Sequence, residues 1–185
     1  MSIVVKNVLP YGDSKTASSN YPVYFLAYLA NTRGYQLWRV TPATIATGGL
    51  TVATAQDGID ASLAAATGTP DVILFNLGAN DAGGALVEAT WKADLAYILD
   101  AMNVKWASAQ IYLMRVWRRD TESNCNLMAT WIGDVIASRA WCHLGPDERV
   151  FLEAGDDGET YTGDGIHPND AGQRLTAAQW AMVIP

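Results

Sequence analysis

Gly68-Thr69-Pro70-Asp71-Val72-Ile73-Leu74-Phe75-Asn76-Leu77-Gly78-Ala79-Asn80-Asp81 is the stretch on which the reading of the fold turns. Its first four residues carry a turn signal, Val72–Leu77 is a short apolar run of strand type, and Gly78 opens a second turn. Similar runs stand at Ile3–Leu9, Tyr35–Thr41 and Ile111–Trp117, with a short fifth at Val150–Glu153. Helix-like segments lie between them. Pro22 suits a first helical turn, Phe25, Leu26 and Leu29 recur at helical spacing, and Gly34 stops the pattern. Ala85–Met102, Leu127–Trp141 and Asp170–Met182 complete the helical set.

Strands alternating with helices require crossovers long enough to hold a helix, which makes the sheet mostly parallel and puts helices on both faces. The expected fold is α/β: a three-layer α/β/α sandwich on a mostly parallel five-stranded sheet in the flavodoxin-like order 2-1-3-4-5. No linker, repeat or low-complexity stretch divides the chain, so residues 1–185 are expected to form one domain. Ligands in such sheets collect outside the carboxyl ends of the strands, near the point where strand order reverses. Gly12-Asp13-Ser14 follows the first strand and Gly78-Ala79-Asn80-Asp81 the third, so both open on that edge.

Composition narrows the partners. Half of the chain is apolar and 17% is charged, as in a compact globular protein. The apolar runs are far shorter than the roughly 20 residues of a membrane span, so no membrane partner is expected. A net charge of −7, from 12 basic and 19 acidic residues, argues against nucleic acid. Met1-Ser2-Ile3 leads into an apolar stretch that reads as a strand and not as a secretion signal. Cys125 and Cys142 have no zinc or dithiol spacing; they read as two unlinked thiols at partly buried positions, or as one disulfide in an exported protein. Compartment and oligomeric state are left open, and no cofactor is implied.

Three motifs supply the parts of a serine esterase. Ser14 suits the nucleophile, His167 in Asp164-Gly165-Ile166-His167-Pro168-Asn169 the base, Asp164 the group that orients it, and Asn80 a side-chain donor to an oxyanion. Asp164 and His167 stand three residues apart in a segment that favours a tight turn, which brings the carboxylate to Nδ1 and leaves Nε2 for the serine. Asn80 offers donors without a competing charge. Asp13 and Asp81 flank these residues and suit structural hydrogen bonds to backbone N–H groups. His143, the other histidine, is expected to cap or follow a helix end.

On these residues the chain resembles the SGNH hydrolases, also called GDSL esterases, over nearly its whole length. Gly12-Asp13-Ser14 matches the family's first block, Gly78-Ala79-Asn80-Asp81 its third, and Asp164-Gly165-Ile166-His167-Pro168 its fifth, in the family's order. The resemblance implies that Ser14 attacks an acyl carbonyl, and that three donors hold the oxyanion: the Ser14 N–H, a second-block glycine N–H and the Asn80 amide. Ala46-Thr47-Gly48-Gly49-Leu50-Thr51 offers two glycines; Gly49 fits the family's context better, and Gly48 stays open. Lys15 departs from the apolar residue common after the serine, and a charge there makes a long lipid acyl chain a less natural ligand.

Substrate contacts are expected from Trp117, as a sugar platform or acyl wall or else as core, and from Arg118, as a partner for a polar or anionic group. Trp91, Trp106, Trp131, Trp141 and Trp180 read as core. The expected function is hydrolysis of short-chain acyl esters, with removal of acetyl groups from a carbohydrate as a specific case. A metal-dependent phosphoesterase built on Asp13, Asn80, Asp81, Asp164 and His167, and a carbohydrate-binding module without turnover, are the competing classes.

Overall fold

The computed structural model describes residues 4–32, 36–40, 45–152 and 160–185. At its centre, parallel strands lie in the order β2 (Gln36–Val40), β1 (Val4–Gly12), β4 (Val72–Asn76), β5 (Gln110–Arg115) and β6 (Cys142–Asp147). A two-residue β3 (Ile45–Ala46) pairs with the last residues of β1. With β3 set aside, the order is the expected 2-1-3-4-5.

Residues alternate across the sheet with the period of two that strand geometry imposes. Leu9, Tyr11, Ile73, Phe75, Ile111 and Leu113 share one core, covered by α3 (Val52–Ala65), α5 (Glu88–Lys105) and α6 (Glu122–Ile136). Val8, Val72, Leu74, Tyr112 and Met114 point the other way, against α2 (Tyr21–Thr32) and α8 (Asp170–Val183). This makes three layers. Trp91, Trp106, Trp131 and Trp180 are buried in these cores, and Trp141 is partly buried against the first. Cys125 and Cys142 are buried, unlinked thiols. No helix among the described residues is long and apolar enough to cross a membrane.

Three expectations are corrected. The fifth principal strand is Cys142–Asp147, not Val150–Glu153: Glu148–Phe151 forms a short helix, α7, and Glu153 lies outside the described residues. The actual strand contains Gly145 and Pro146, and a proline is tolerated there because β6 is an edge. Consequently His143 is a strand residue, its Nε2 2.6 Å from Gln110 Oε1 and its ring against Tyr112. Helix α3 had no counterpart in the sequence pattern, although Val52, Ala55, Ile59 and Leu63 bury one stripe of it. Ile3, Gly34, Tyr35 and Thr41 lie outside the described residues.

Two features of the framework place the site. A Cβ on Gly12 would lie 2.1 Å from the Asn76 carbonyl oxygen, so only glycine lets β1 and β4 approach this closely at their carboxyl ends. β3 then sets Thr47 beside the same point, its N–H donating to the Gly12 carbonyl at 3.1 Å.

Candidate active site

Where β1 ends, Asp13 caps the short helix α1 (Ser14–Ala17) by accepting the Lys15 N–H at 2.9 Å. The cap fixes Ser14 as the first helical residue, half-buried, at the carboxyl edge of the sheet. Asp13 itself is fully buried, and its second oxygen has no hydrogen-bond partner among the described residues. Burial pushes its carboxyl up to about 6, against the opposing pull of the Lys15 N–H and ammonium.

The opposite wall is built by the segment before α8. Thr162 pairs with Pro168 in an antiparallel bridge, and the Asn169 N–H donates to the Tyr161 carbonyl at 2.8 Å, closing a loop over 162–168. Gly165 turns it at φ +76, a left-handed conformation that favours glycine. Inside the loop Asp164 Oδ1 accepts the N–H groups of Ile166 at 2.9 Å and His167 at 2.7 Å, while Oδ2 lies 2.7 Å from His167 Nδ1. Partial burial acts to raise the carboxyl, but the bonds from the His167 ring and the two backbone N–H groups hold it down to about 2. An ionised carboxylate only accepts, so Nδ1 carries the proton and Nε2 presents a lone pair. That nitrogen lies 2.9 Å from Ser14 Oγ, across 153 residues of sequence. The arrangement can move a proton from a serine hydroxyl to an imidazole held in one tautomer.

The expected oxyanion donors lie on two neighbouring turns. In Thr47-Gly48-Gly49-Leu50 the Leu50 N–H donates to the Thr47 carbonyl at 3.3 Å, and Gly49 alone of the two glycines has a positive φ, +78, as the third position of a type II turn requires. That turn bond does not engage the Gly49 N–H. Gly48 abuts Ser14: a Cβ on it would lie 3.9 Å from Ser14 Cβ. Asn80 lies in α4 (Ala79–Ala82) and donates through Nδ2 to the Leu50 carbonyl at 3.0 Å, which ties the two turns together. Asp81 is structural in its contacts. Its carboxylate accepts the Val52 N–H at 3.0 and 3.1 Å and the Trp91 indole N–H at 3.1 Å, seating the start of α3 on α4.

Residues expected to meet substrate are placed differently. Trp117 is 2% exposed and offers no face to a sugar ring. Lys15, read from its neighbour as a charge at the nucleophile, turns inward instead and is also 2% exposed, bonded to Glu148 and the Trp117 carbonyl. Arg118 grips Asp120 with two bonds, at 2.6 and 2.9 Å, and reaches the Ala79 carbonyl at 3.5 Å. Glu148 escaped the sequence reading because it lies in no motif, whereas Arg119 stands where the sequence places it, beyond the carboxyl end of the strand that contains Ile111. Arg119 packs along the Asp164–His167 loop, its N–H donating to the Gly165 carbonyl at 3.0 Å.

Beside Asn80 opens a cavity of about 290 Å³ walled by Thr51, Ala53, Ala85, Leu86, Val87 and Trp91. A larger groove, about 520 Å³, lies between the carboxyl-terminal halves of α3 and α5, toward the other end of the sheet, and none of the motif residues lines it. No three His, Cys, Asp or Glu side chains converge among the described residues in a group able to hold a metal ion.

The model of the GDSL-like Lipase/Acylhydrolase family matches residues 11–175. No curated protein sequence matches the chain. Among solved structures, the chain is similar to the acetyl xylan esterase AlAXEase, at 17% identity and a TM-score of 0.75, covering 96% of this chain and 100% of that one. It is similar to a family 3 carbohydrate esterase of Clostridium thermocellum, at 16% identity and a TM-score of 0.73, covering 96% and 94%. TesA gives 22% identity and a TM-score of 0.73, covering 94% and 95%. At these identities the likenesses establish the fold.

Proposed function

The chain belongs to the GDSL-like lipase/acylhydrolase family, and from that premise we propose that it is a serine esterase that hydrolyses short-chain acyl esters through an acyl-enzyme, with acetyl groups on a carbohydrate as the specific substrate. The observation that carries this reading is the 2.9 Å contact of Ser14 Oγ with His167 Nε2, backed by the 2.7 Å contact of Nδ1 with Asp164. Residues 1–185 are read as one domain of this kind.

In the proposed reaction His167 Nε2 takes the Ser14 proton as Oγ attacks the acyl carbon. Asp164 stays ionised and stabilises the imidazolium. The negative oxygen of the tetrahedral intermediate is held by the N–H groups of Ser14 and Gly49 and by the Asn80 amide. His167 then protonates the departing alkoxide, leaving the acyl group on Ser14. In the second half the imidazole deprotonates a water that attacks the same carbon, and collapse returns the proton to Ser14 and frees the acid.

Acyl size is argued from space. The cavity beside Asn80, about 290 Å³, stands at the lower end of the range for small-molecule sites. Its walls, apolar at Ala53, Ala85, Leu86, Val87 and Trp91 and polar at Asn80, Asp81 and Asp94, suit an acetyl or similarly short group. Lys15 points inward, away from any acyl group, and the buried Trp117 offers no platform for a sugar. Arg118, bonded to Asp120 beside α4, is read as the partner for a polar or anionic group of the substrate. The carbohydrate assignment draws on two similar structures named as carbohydrate-directed esterases. A metal-dependent phosphoesterase is not favoured, because no three His, Cys, Asp or Glu side chains converge among the described residues in a group able to hold a metal ion.

The test is a panel of p-nitrophenyl esters of increasing chain length together with an acetylated xylo-oligosaccharide, run on the parent and on Ser14→Ala. Turnover that is highest for acetate, falls with chain length and vanishes in Ser14→Ala is expected. Hydrolysis that persists in Ser14→Ala overturns the nucleophile, and a preference for long chains overturns the acyl assignment.

A further inference from the structure

Beneath the nucleophile lies a pair of charges that the proposed reaction leaves unused. The Lys15 ammonium donates to Glu148 Oε2 at 2.7 Å and to the Trp117 carbonyl at 2.5 Å. Both charged side chains are buried, 1% and 0% exposed. Glu148 Oε2 also accepts the Trp117 N–H at 3.0 Å, so the pair holds both polar groups of one residue's backbone; Glu148 Oε1 has no partner among the described residues.

Stability is a poor reason for such a pair. Taking two charges out of water costs several kcal/mol per ion, and apolar residues of similar volume are often as stable or more so. A carboxylate oxygen without a partner deepens that cost. Geometry offers a better reason. Lys15 is the residue after Ser14, Trp117 lies past the carboxyl end of β5, and Glu148 opens α7 directly after β6. Two residues beyond Trp117, the Arg119 N–H holds the Gly165 carbonyl at 3.0 Å, and the Arg119 side chain packs where a Gly165 Cβ would stand, 3.0 Å from its Nε. Gly165 lies between Asp164 and His167. The contacts therefore form a closed ring, from Ser14 through Lys15, Trp117, Arg119 and Gly165 to His167 and back across the 2.9 Å contact.

An apolar side chain at position 15 fills space without holding a peptide group in place. We propose that Lys15 and Glu148 are positioning residues, which set the separation of Ser14 and His167 by clamping the Trp117 backbone. The inference rests on the reading of Ser14 and His167 as the reacting pair. Neither charged group touches substrate.

The test uses K15M/E148L, which replaces the pair by apolar side chains, and E148D, which keeps the pair but withdraws the acceptor by one methylene. The readouts are kcat and KM on p-nitrophenyl acetate, thermal unfolding, and the rate of covalent labelling of Ser14 by a fluorophosphonate. In folded K15M/E148L, kcat and labelling rate are expected to fall together by about tenfold or more, with KM within about twofold of the parent, since misplacement of reacting groups by about 1 Å is costly. In E148D the same pattern is expected at about threefold or more. Parental kcat and labelling in folded K15M/E148L, or a change confined to KM, overturns the proposal. If K15M/E148L does not fold, E148D decides: parental kcat and labelling overturn it. Ser14→Ala run alongside separates the two readings, because residual hydrolysis there overturns the reacting pair itself, whereas an inactive Ser14→Ala with parental pair variants overturns only the clamp.

Discussion

Asp164→Asn separates two jobs that Asp164 performs with different oxygens. Oδ1 latches the loop through the N–H groups of Ile166 and His167, and Oδ2 faces the imidazole. Asparagine keeps one acceptor oxygen for the latch and places an NH₂ group where Oδ2 stood. Two donors cannot face each other, so Nδ1 gives up its proton and Nε2 becomes the protonated nitrogen, turned as a donor toward Ser14. The wrong tautomer costs about 10⁴ in turnover in a fully enclosed triad. Here the Asp164 and His167 side chains are about half exposed, so water competes for the ring, and we expect a loss of about 10²–10⁴, or about 3–5 kcal/mol of barrier. Asp164→Ala removes the latch as well. Two backbone hydrogen bonds at about 1 kcal/mol each lower the unfolding midpoint by about 4–8 °C in a chain of this size, whereas Asp164→Asn is expected to unfold close to the parent. The assay is steady-state hydrolysis of p-nitrophenyl acetate with thermal unfolding followed by circular dichroism. Turnover in Asp164→Asn within threefold of the parent refutes the tautomer argument, and equal midpoints for the Asn and Ala variants refute the division between the two oxygens.

Other consequences follow from the same geometry. Asn80→Ala is expected to lower kcat by about 10²–10³ with little change in KM; steady-state kinetics equal to the parent removes Asn80 from the oxyanion site. Asp13 titrates in the raised direction, from 3.8 to about 6, so its ionised form disfavours the folded state. That penalty is absent below about pH 4, grows as pH rises to 6, and is full above it, on the order of 3 kcal/mol. Asp13→Asn, which keeps the cap, is therefore expected to be more stable than the parent at pH 7 and equal to it near pH 4 in urea unfolding; a gap that does not change with pH counts against this. The Asp164 carboxyl, held down to about 2, has the opposite sign: its contribution is present above about pH 4 and lost as pH falls toward 2, and exposure keeps it to about 1 kcal/mol or less. Gly12→Ala is expected to lose about 3 kcal/mol by overpacking, since its Cβ would meet the Asn76 carbonyl and Thr16 Oγ1, while Gly58→Ala, in open space on α3, gains about 0.5–1 kcal/mol. Urea midpoints that move the same way in both variants would sink the steric account.

Much of this architecture was legible because it depends on local signals. Val72–Asn76 is buried along its whole length, and such a strand announces itself as an apolar run. Ser14 and Asn80 stand in short helices just past strand ends and Asp164 and His167 in one loop, and the glycines and capping carboxylates that mark these places are themselves local. What sequence could not disclose depends on distant partners. Lys15 beside a serine reads as a surface charge, and only Glu148, 133 residues away, makes its burial tolerable. Trp117 has the same composition signal whether it walls a site or fills a core, and its 2% exposure is decided by packing. The edge strand Cys142–Asp147 hid behind Gly145 and Pro146, and α3 behind a run poor in large apolar residues, where four well-spaced side chains suffice because α5 packs against them.

The 153-residue span between the two halves of the reacting contact has a meaning for the order in which the protein becomes competent. The loop bearing His167 leads into α8, and α8 docks on α2 through Tyr24 to Asp170 and through the Asn20 N–H to Gln173. A ribosome delivers α8 more than 150 residues after Ser14, so on the proposed reading the hydroxyl has no imidazole beside it until that segment is made. On the proposed reading, turnover waits for α8 to close against α2, and a protease cut between β6 and α8 that lets this segment drift away is expected to abolish it.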